Sequence, residues 1–417
     1  MAAKQSPALA SKKSPTSPPG PVMRSAAAVE TESNCRQLIE MAKVNIEHVL
    51  AGNTPAQADE VMRVPARNYL DPQRWAREVA MFRRTPLMLA LGGELRGPSS
   101  YKAMTVMDVP VLLTRGADGA VRAFVNSCSH RGAVVVADGC GTARRFVCPY
   151  HNWTYNDHGD LVGVTDREFF GDIDTATMGL TPLPVAERAG LIFVVLTPGV
   201  AINIDEHLHH YDTVLDFFGF GDWHLIKRTE IPGPNWKIAY DGYLDFYHLP
   251  FLHRNTFGTD ISNKAIYFEW GPHQRMTAPD PALPALADVP EGDWKMDRIC
   301  GGVWTIFPHI SFAGGNGGGL ISQLFPGRSP GESLTVQNYF TAAEPSPERR
   351  AEAERTADFL AMVVRDEDYA TGLRLQQALA TGAKEFVHFG RNEGGGQRFH
   401  QVLDQYLTDA SATPVEP

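Results

Sequence analysis

The 417-residue sequence predicts an α+β fold in which a small antiparallel β domain precedes a larger domain mixing strands with helices. Three observations carry this. Hydrophobic residues make up 43% and charged residues 21%, enough apolar surface to bury cores in roughly two or three domains. Residues 84–200 hold short apolar runs separated by turn residues, the pattern of short strands joined by tight turns. Helical periodicity concentrates before residue 84 and after residue 235.

Taken in order, residues 1–32 are expected to form a disordered tail. The first 26 are rich in Ala, Ser and Pro and carry Lys4, Lys12, Lys13 and Arg24 without an acid. They contain no apolar stretch of the kind a secretory signal needs; the lack of acids keeps a transit peptide as the alternative. Residues 33–90 are expected to be helical. Leu38, Ala42, Ile46 and Val49 line one face of a helix over 33–50, and Asp71-Pro72 caps a second carrying Trp75, Val79 and Phe82. Residues 91–200 form the small β domain, with strands expected at Tyr101–Val106, Val109–Thr114, Val121–Asn126, Arg145–Cys148 and Leu191–Leu196. Residues 201–417 form the larger domain. A strand at Leu225–Ile231 leads into a helix running from Trp236 through Leu249, and Ser346-Pro347 opens a helical stretch to about Leu379. The glycine clusters Gly314–Gly319 and Gly394–Gly396 lack the Lys-Ser/Thr ending of a phosphate cradle and are expected to be loops.

Charge narrows the function. Acids outnumber Lys and Arg by 48 to 38, for a net charge of −10, which argues against nucleic acid or anionic lipid as a partner. The longest strongly apolar run, Leu191–Leu196, is too short to cross a membrane, and the expected location is the cytoplasm. Five cysteines are too few for a disulfide scaffold.

Two of those cysteines sit in metal-type clips. Cys128-Ser129-His130 is followed, after 17 residues, by Cys148-Pro149-Tyr150-His151. Each clip offers one thiolate and one imidazole, which is what a [2Fe–2S] centre with two Cys on one iron and two His on the other requires. A Cys2His2 zinc site uses the same ligand types, but zinc clips usually pair Cys with Cys and His with His. Cys140 has no partner His and is expected to be structural; Cys35 and Cys300 are expected to be buried thiols.

A second constellation runs from Asp241 to His253, with two His and two Asp in 13 residues. Asp245 and His248, at i and i+3, would share a helix face; Pro250 would break the helix, and His253 would reach back from its end. Two His and one carboxylate form the facial triad of non-haem Fe(II) sites. The competing reading is an acidic helix with two structural histidines. His207, His209, His210 and His158 are expected in solvated loops or turns.

The residues Asn126-Ser127-Cys128-Ser129-His130-Arg131-Gly132, Cys148-Pro149-Tyr150-His151-Asn152-Trp153-Thr154-Tyr155 and Gly159-Asp160-Leu161 resemble the Rieske domain of ring-hydroxylating oxygenases. The segment Asp241–His253, preceded by Asn235-Trp236-Lys237, resembles the Asp/Glu-x-x-His-x4-His motif of the same family's catalytic domain. It departs from the family in having Asp241-Gly242 where Glu-Asn is common. The resemblance implies a Rieske [2Fe–2S] cluster on Cys128, His130, Cys148 and His151, and a catalytic domain built as an antiparallel sheet flanked by helices, helix-grip-like. It implies a mononuclear Fe(II) held by His248, His253 and a carboxylate from a late helix. Arg365-Asp366-Glu367-Asp368, ahead of Gln376-Gln377, matches that element; Asp368 is the expected ligand and Asp366 the alternative. Asp245 matches the acid that links a neighbouring subunit's cluster histidine to an iron histidine. Gly390-Arg391-Asn392-Glu393 and Arg398-Phe399-His400 resemble the family without an evident chemical role.

The implied activity is that of a terminal oxygenase. It would use O₂ and electrons from NAD(P)H, through a flavin reductase with or without a ferredoxin, to mono- or dioxygenate a small, partly apolar, aromatic substrate. The implied assembly is a homotrimer, with or without a small second subunit. Oxidative demethylation of a non-aromatic substrate and a pure Rieske electron carrier are the alternatives; the second His/His/Asp set argues against the carrier. Tyr243, Phe246, Phe251, Phe257, Trp270, Trp304 and Phe312 are pocket candidates.

Overall fold

The computed structural model describes residues 26–408, with side chains from Cys35 onward. Residues 1–25 of the expected tail lie outside the described residues. The remainder does not behave as tail: the first helix starts at Ala26, seven residues before Ser33, and runs to Leu50. Ala26-Ala27-Ala28, strong helix formers, extend it. The next stretch is also less helical than expected, because strands Met62–Pro65 and Leu87–Leu91 flank the helix Pro72–Arg84. That helix begins as its sequence dictates, with Asp71 accepting from Gln73 N and Pro72 in the first turn.

The small domain is organised around a five-stranded antiparallel sheet, in the order Pro182–Leu183, Val121–Val125, Val109–Arg115, Ser100–Val106, Gly139–Thr142. The turn at Gly119 has φ +80°, which explains the glycine there. A second, three-stranded sheet is made of Arg145–Val147, Thr154–Asn156 and Leu161–Gly163, and its first hairpin carries the second clip. The domain's core gathers Leu112, Phe124, Phe146, Trp153 and Tyr155 around Cys128 and Cys148. Leu191–Val194 pairs instead with Leu87–Leu91 and Val185–Arg188 in a sheet of its own.

The larger domain holds a seven-stranded antiparallel sheet running from His224–Gly233 at one edge, through Ser333–Thr341 and Gly318–Pro326, to Ile266–Trp270 at the other. The glycines Gly314–Gly319 form the hairpin between two of its strands, whereas Gly394–Gly396 form the first turn of the last helix, Gly394–Thr408, rather than a loop. Their lack of Cβ lets that turn approach closely: a Cβ on Gly395 would meet Tyr267 at 2.8 Å.

One face of the sheet packs against Trp236, Ala239 and Tyr240 of the helix Trp236–Tyr243. The other packs against Tyr211, Phe218, Phe220 and Trp223. Trp304 and Phe312, expected near a pocket, belong to this second core, and Trp270 packs on it. Large aromatics on a sheet face are buried by whichever layer covers them, which spacing along one strand does not reveal. His207 is likewise buried rather than solvated, edge-on to His273 at 5.1 Å. Cys300 is buried as expected, Cys35 only half so, and Cys140 is exposed on the edge strand Gly139–Thr142.

The helix Trp236–Tyr243 is anchored by charge as well as packing. Glu78, fully buried, accepts from Arg74 Nε at 2.9 Å, Trp236 Nε1 at 2.8 Å and Lys237 Nζ at 2.5 Å. A buried carboxylate is tolerable only when its lone pairs are satisfied in this way.

Candidate metal centres

The first clip is a loop after Val121–Val125; the second is the hairpin loop joining Arg145–Val147 to Thr154–Asn156. Backbone bonds fold each around its cysteine: Cys128 N donates to Ala133 O and Gly132 N to Cys128 O, while Cys148 N donates to Trp153 O and Asn152 N to Cys148 O. Gly132 and Asn152 take the positive φ these tight turns need. Both thiols are buried, at 3% and 1% exposure, and unpaired as disulfides. The two imidazoles meet with ring centroids 4.5 Å apart, and His130 stacks on Trp153 at 4.9 Å. His130 Nδ1 is buried with no hydrogen-bond partner among the described residues. Burial, with the neighbouring His151 and Arg131, pushes the His130 pKa down, which keeps the ring neutral. Buried thiols, a neutral imidazole and an orphaned ring nitrogen are what a metal cluster would satisfy.

The second set converges from distant parts of the chain. Among the described residues, His248, His253 and Asp368 bring three donor atoms within 4.8 Å of one another. His248 Nε2 lies 3.5 Å and His253 Nε2 3.3 Å from Asp368 Oδ1. Local structure differs from the expected single helix. Trp236–Tyr243 ends at Leu244, Asp245 and His248 occupy a turn, and a short helix Leu249–Leu252 follows, with His253 as its C-cap. Pro250 is in the first turn of that helix, where a missing N–H costs nothing, so it starts an element rather than breaking one. The i, i+3 contact survives: His248 Nδ1 meets Asp245 Oδ2 at 3.0 Å.

Asp368 comes from a π-helical turn, Val364–Tyr369, between helices Pro347–Val363 and Ala370–Leu379. This turn sets two consecutive carboxylates on the two nitrogens of one ring. Glu367 Oε2 takes His253 Nδ1 at 2.5 Å while Asp368 lies at Nε2; Thr256 Oγ1 also donates to Glu367. Asp366 turns away into a pair with Arg365, so the alternative ligand is not brought to the site. Burial opposes charge on His248, but hydrogen bonds to Asp245 and Asp368 outweigh it and hold its pKa up at about 9. Burial would likewise raise the Asp368 carboxyl, yet the two histidines hold it below its ordinary value. The set thus carries excess carboxylate, the electrostatics of a divalent-cation site.

A Rieske [2Fe-2S] domain matches residues 86–170, and a ring hydroxylating alpha subunit catalytic domain matches residues 220–409. The chain therefore carries a Rieske domain followed by a ring-hydroxylating catalytic domain, and its homologues are Rieske oxygenase alpha subunits. It is similar to the carnitine monooxygenase oxygenase subunit of Escherichia coli, at 30% identity over 213 residues covering 50% of this chain and 56% of that protein. It is also similar to the anthranilate 1,2-dioxygenase large subunit of Burkholderia cepacia, at 31% over 205 residues covering 47% and 48%. These matches span about half the length of the curated relatives. In fold, the chain resembles a quaternary ammonium Rieske monooxygenase in complex with L-carnitine, with TM-score 0.71 and 22% identity over 84% of this chain and 97% of that one.

Four residues, Glu367, Asp241, His400 and Tyr69, have contacts around the site that the sequence does not reveal. Glu367 stands there only as an acid beside the expected ligand. Asp241 and His400 join through Oδ1 and Nε2 at 3.0 Å, and Tyr69 OH donates to Asp241 Oδ2 at 2.8 Å. That network ties the segment carrying His248 and His253 to Tyr69, early in the chain, and to His400 in the last helix. Of the aromatic pocket candidates, Phe257 packs edge-on to His253 at 5.5 Å, while Phe251 is 62% exposed. No helix among the described residues is long and apolar enough to cross a membrane.

Proposed function

We propose that the chain is a terminal oxygenase, with Cys128, His130, Cys148 and His151 as ligands of a Rieske cluster and His248, His253 and Asp368 as ligands of a mononuclear Fe(II). The convergence of those last three side chains, in a chain that also carries the two Cys/His clips, is the observation that supports it most. Bound there, the cluster supplies single electrons and the Fe(II) supplies O₂ activation.

The chain's own residues do the rest. Asp245 accepts the Nδ1 proton of His248 and so orients the ring with Nε2 facing Asp368. Glu367 does the same for His253, fixing its ring from the opposite side. The second clip stands at the surface, with its Tyr150 59% exposed, so His151 is open to a partner. By family resemblance it meets the partner subunit's Asp245 in a trimer, and His151–Asp245–His248 is then the path between subunits. Electrons come from a flavin reductase, with or without a ferredoxin, and the protein acts in the cytoplasm. The substrate is a small, partly apolar organic molecule, aromatic or quaternary ammonium.

Anaerobic iron and sulfide analysis with EPR of the dithionite-reduced protein tests the reading, beside a His248→Ala control. The expected result is about three irons and two sulfides per chain, the stoichiometry of one [2Fe–2S] cluster plus one Fe. It includes a Rieske-type signal and loss of one iron in the control. Two irons unchanged by His248→Ala would make the protein a carrier, and zinc in place of iron would overturn both assignments.

A further inference from the structure

Beside the metal-bearing segment lies a cavity of about 360 Å³, with Phe246 and Leu249, on either side of His248 in the chain, in its wall. The same cavity is lined by Arg275, on the strand His273–Thr277. Arg275 is 2% exposed and makes no ion pair with any described carboxylate. Its Nη2 donates to Ile299 O and Gly301 O, both at 2.7 Å, and Nη1 reaches only the Met41 sulfur at 3.3 Å. Its Nε has no partner among the described residues. The guanidinium lies over the Trp304 ring at 4.5 Å.

A buried, uncompensated cation is costly, and neither two carbonyls nor a thioether supplies the missing negative charge. The lining holds one carboxylate, Asp280, and Arg298 already takes it at 3.3 Å. The cavity therefore carries one net positive charge set deep in a wall that also presents Met41, Ala42, Leu283 and Ile299. A buried guanidinium with an idle Nε–H can donate one charge-assisted hydrogen bond to a carboxylate, which also supplies the missing negative charge.

We propose that this cavity is a carboxylate subsite, in which Arg275 holds the anionic end of an organic acid whose apolar part lies toward Phe246 and Leu249. That the acid is the substrate rests on the oxygenase reading; that the cavity binds a carboxylate does not. Choline and chlorobenzene, for which two relatives are named, would lack the group this subsite recognises.

Calorimetry on the iron-loaded enzyme under anaerobic conditions, with benzoate against its neutral isostere benzamide, tests this. Benzoate is expected to bind at least about tenfold tighter, as one good charge-assisted contact allows. Arg275→Met should abolish that preference while leaving benzamide binding within about twofold, and Arg275→Lys should keep part of it. Equal binding of the two probes by the wild type, or a preference that survives Arg275→Met, would overturn the proposal. Should Arg275→Met not fold, Ser262→Trp, at the partly exposed rim of the cavity, is expected to block benzoate; undiminished binding there would also overturn it. Iron content separates the two ideas. Iron-loaded protein without carboxylate preference removes only this subsite, and iron-free protein that keeps the preference removes only the oxygenase reading.

Discussion

The two candidate metal-donor sets of this chain are built in opposite ways. The clips of the small domain are local: two turns of one β-module, 24 residues from Cys128 to His151, each closed by backbone bonds around a buried thiol. The triad is assembled from afar. His248 and His253 cap the two ends of the short helix Leu249–Leu252, and Asp368 comes from a π-helical turn over a hundred residues later. Local geometry makes the first set nearly independent of how the rest of the chain packs. The second set exists only if the π-turn docks against the 245–253 segment, so carboxylates around the ligands do the positioning that backbone turns do in the clips.

That contrast can be broken most forcefully at Asp245, which by family resemblance joins the two sets. Asp245→Asn is expected to leave both metals bound, read by iron content and EPR, yet to lower coupled turnover on the order of 100-fold or more. Wild-type turnover would remove the bridge from the account. Next comes the support of His253. Glu367→Gln is expected to weaken mononuclear iron binding about 10- to 100-fold in competition with a chelator, with the Rieske signal unchanged. Asp366→Asn, whose carboxylate faces Arg365, should stay within about twofold of wild type, since exposed pairs contribute little. Equal losses from both variants would show that the π-turn does not separate their roles.

The smallest effect concerns the packing on which the non-local set depends. Burial pushes His207 and His309 down to about 3, and His273 well below its ordinary value, so all three are neutral in the native protein. The unfolded chain takes up their protons near pH 6.5, so between about pH 6.5 and 3 it binds more protons than the native state. Stability therefore falls as pH drops through that window, by roughly 1.4 kcal/mol per pH unit for each histidine. His309→Gln should flatten the fall by one such increment, measured by urea midpoints between about pH 7 and 5. An unchanged slope would mean that His309 is not neutral in the native state.

Much of the site is legible in the residues themselves. Cys128, His130, Cys148 and His151 are a pattern of residue types at short spacing, and so is the pair His248 and His253; short spacing is what a sequence records directly. Asp368 can be named only through resemblance, and Asp366 stays open because both acids fit an ordinary helical period. The π-turn, which points Glu367 and Asp368 at one ring and Asp366 away, has no periodic signature. Pro250 reads as a breaker because proline marks either end of a helix, and only the chain path shows which. His207, Trp304 and Phe312 are misplaced by sequence because burial depends on the covering layer, which is distant along the chain.

The order of elements, the strand runs of the small domain, the capped helices and the donor types are all present in the residues, because propensity, capping and short-range spacing act within a few positions. Which carboxylate meets which imidazole, which aromatic faces a cavity and which buried cation meets no described carboxylate were decided by packing. Those contacts join segments a hundred or more residues apart, where the sequence carries no distance.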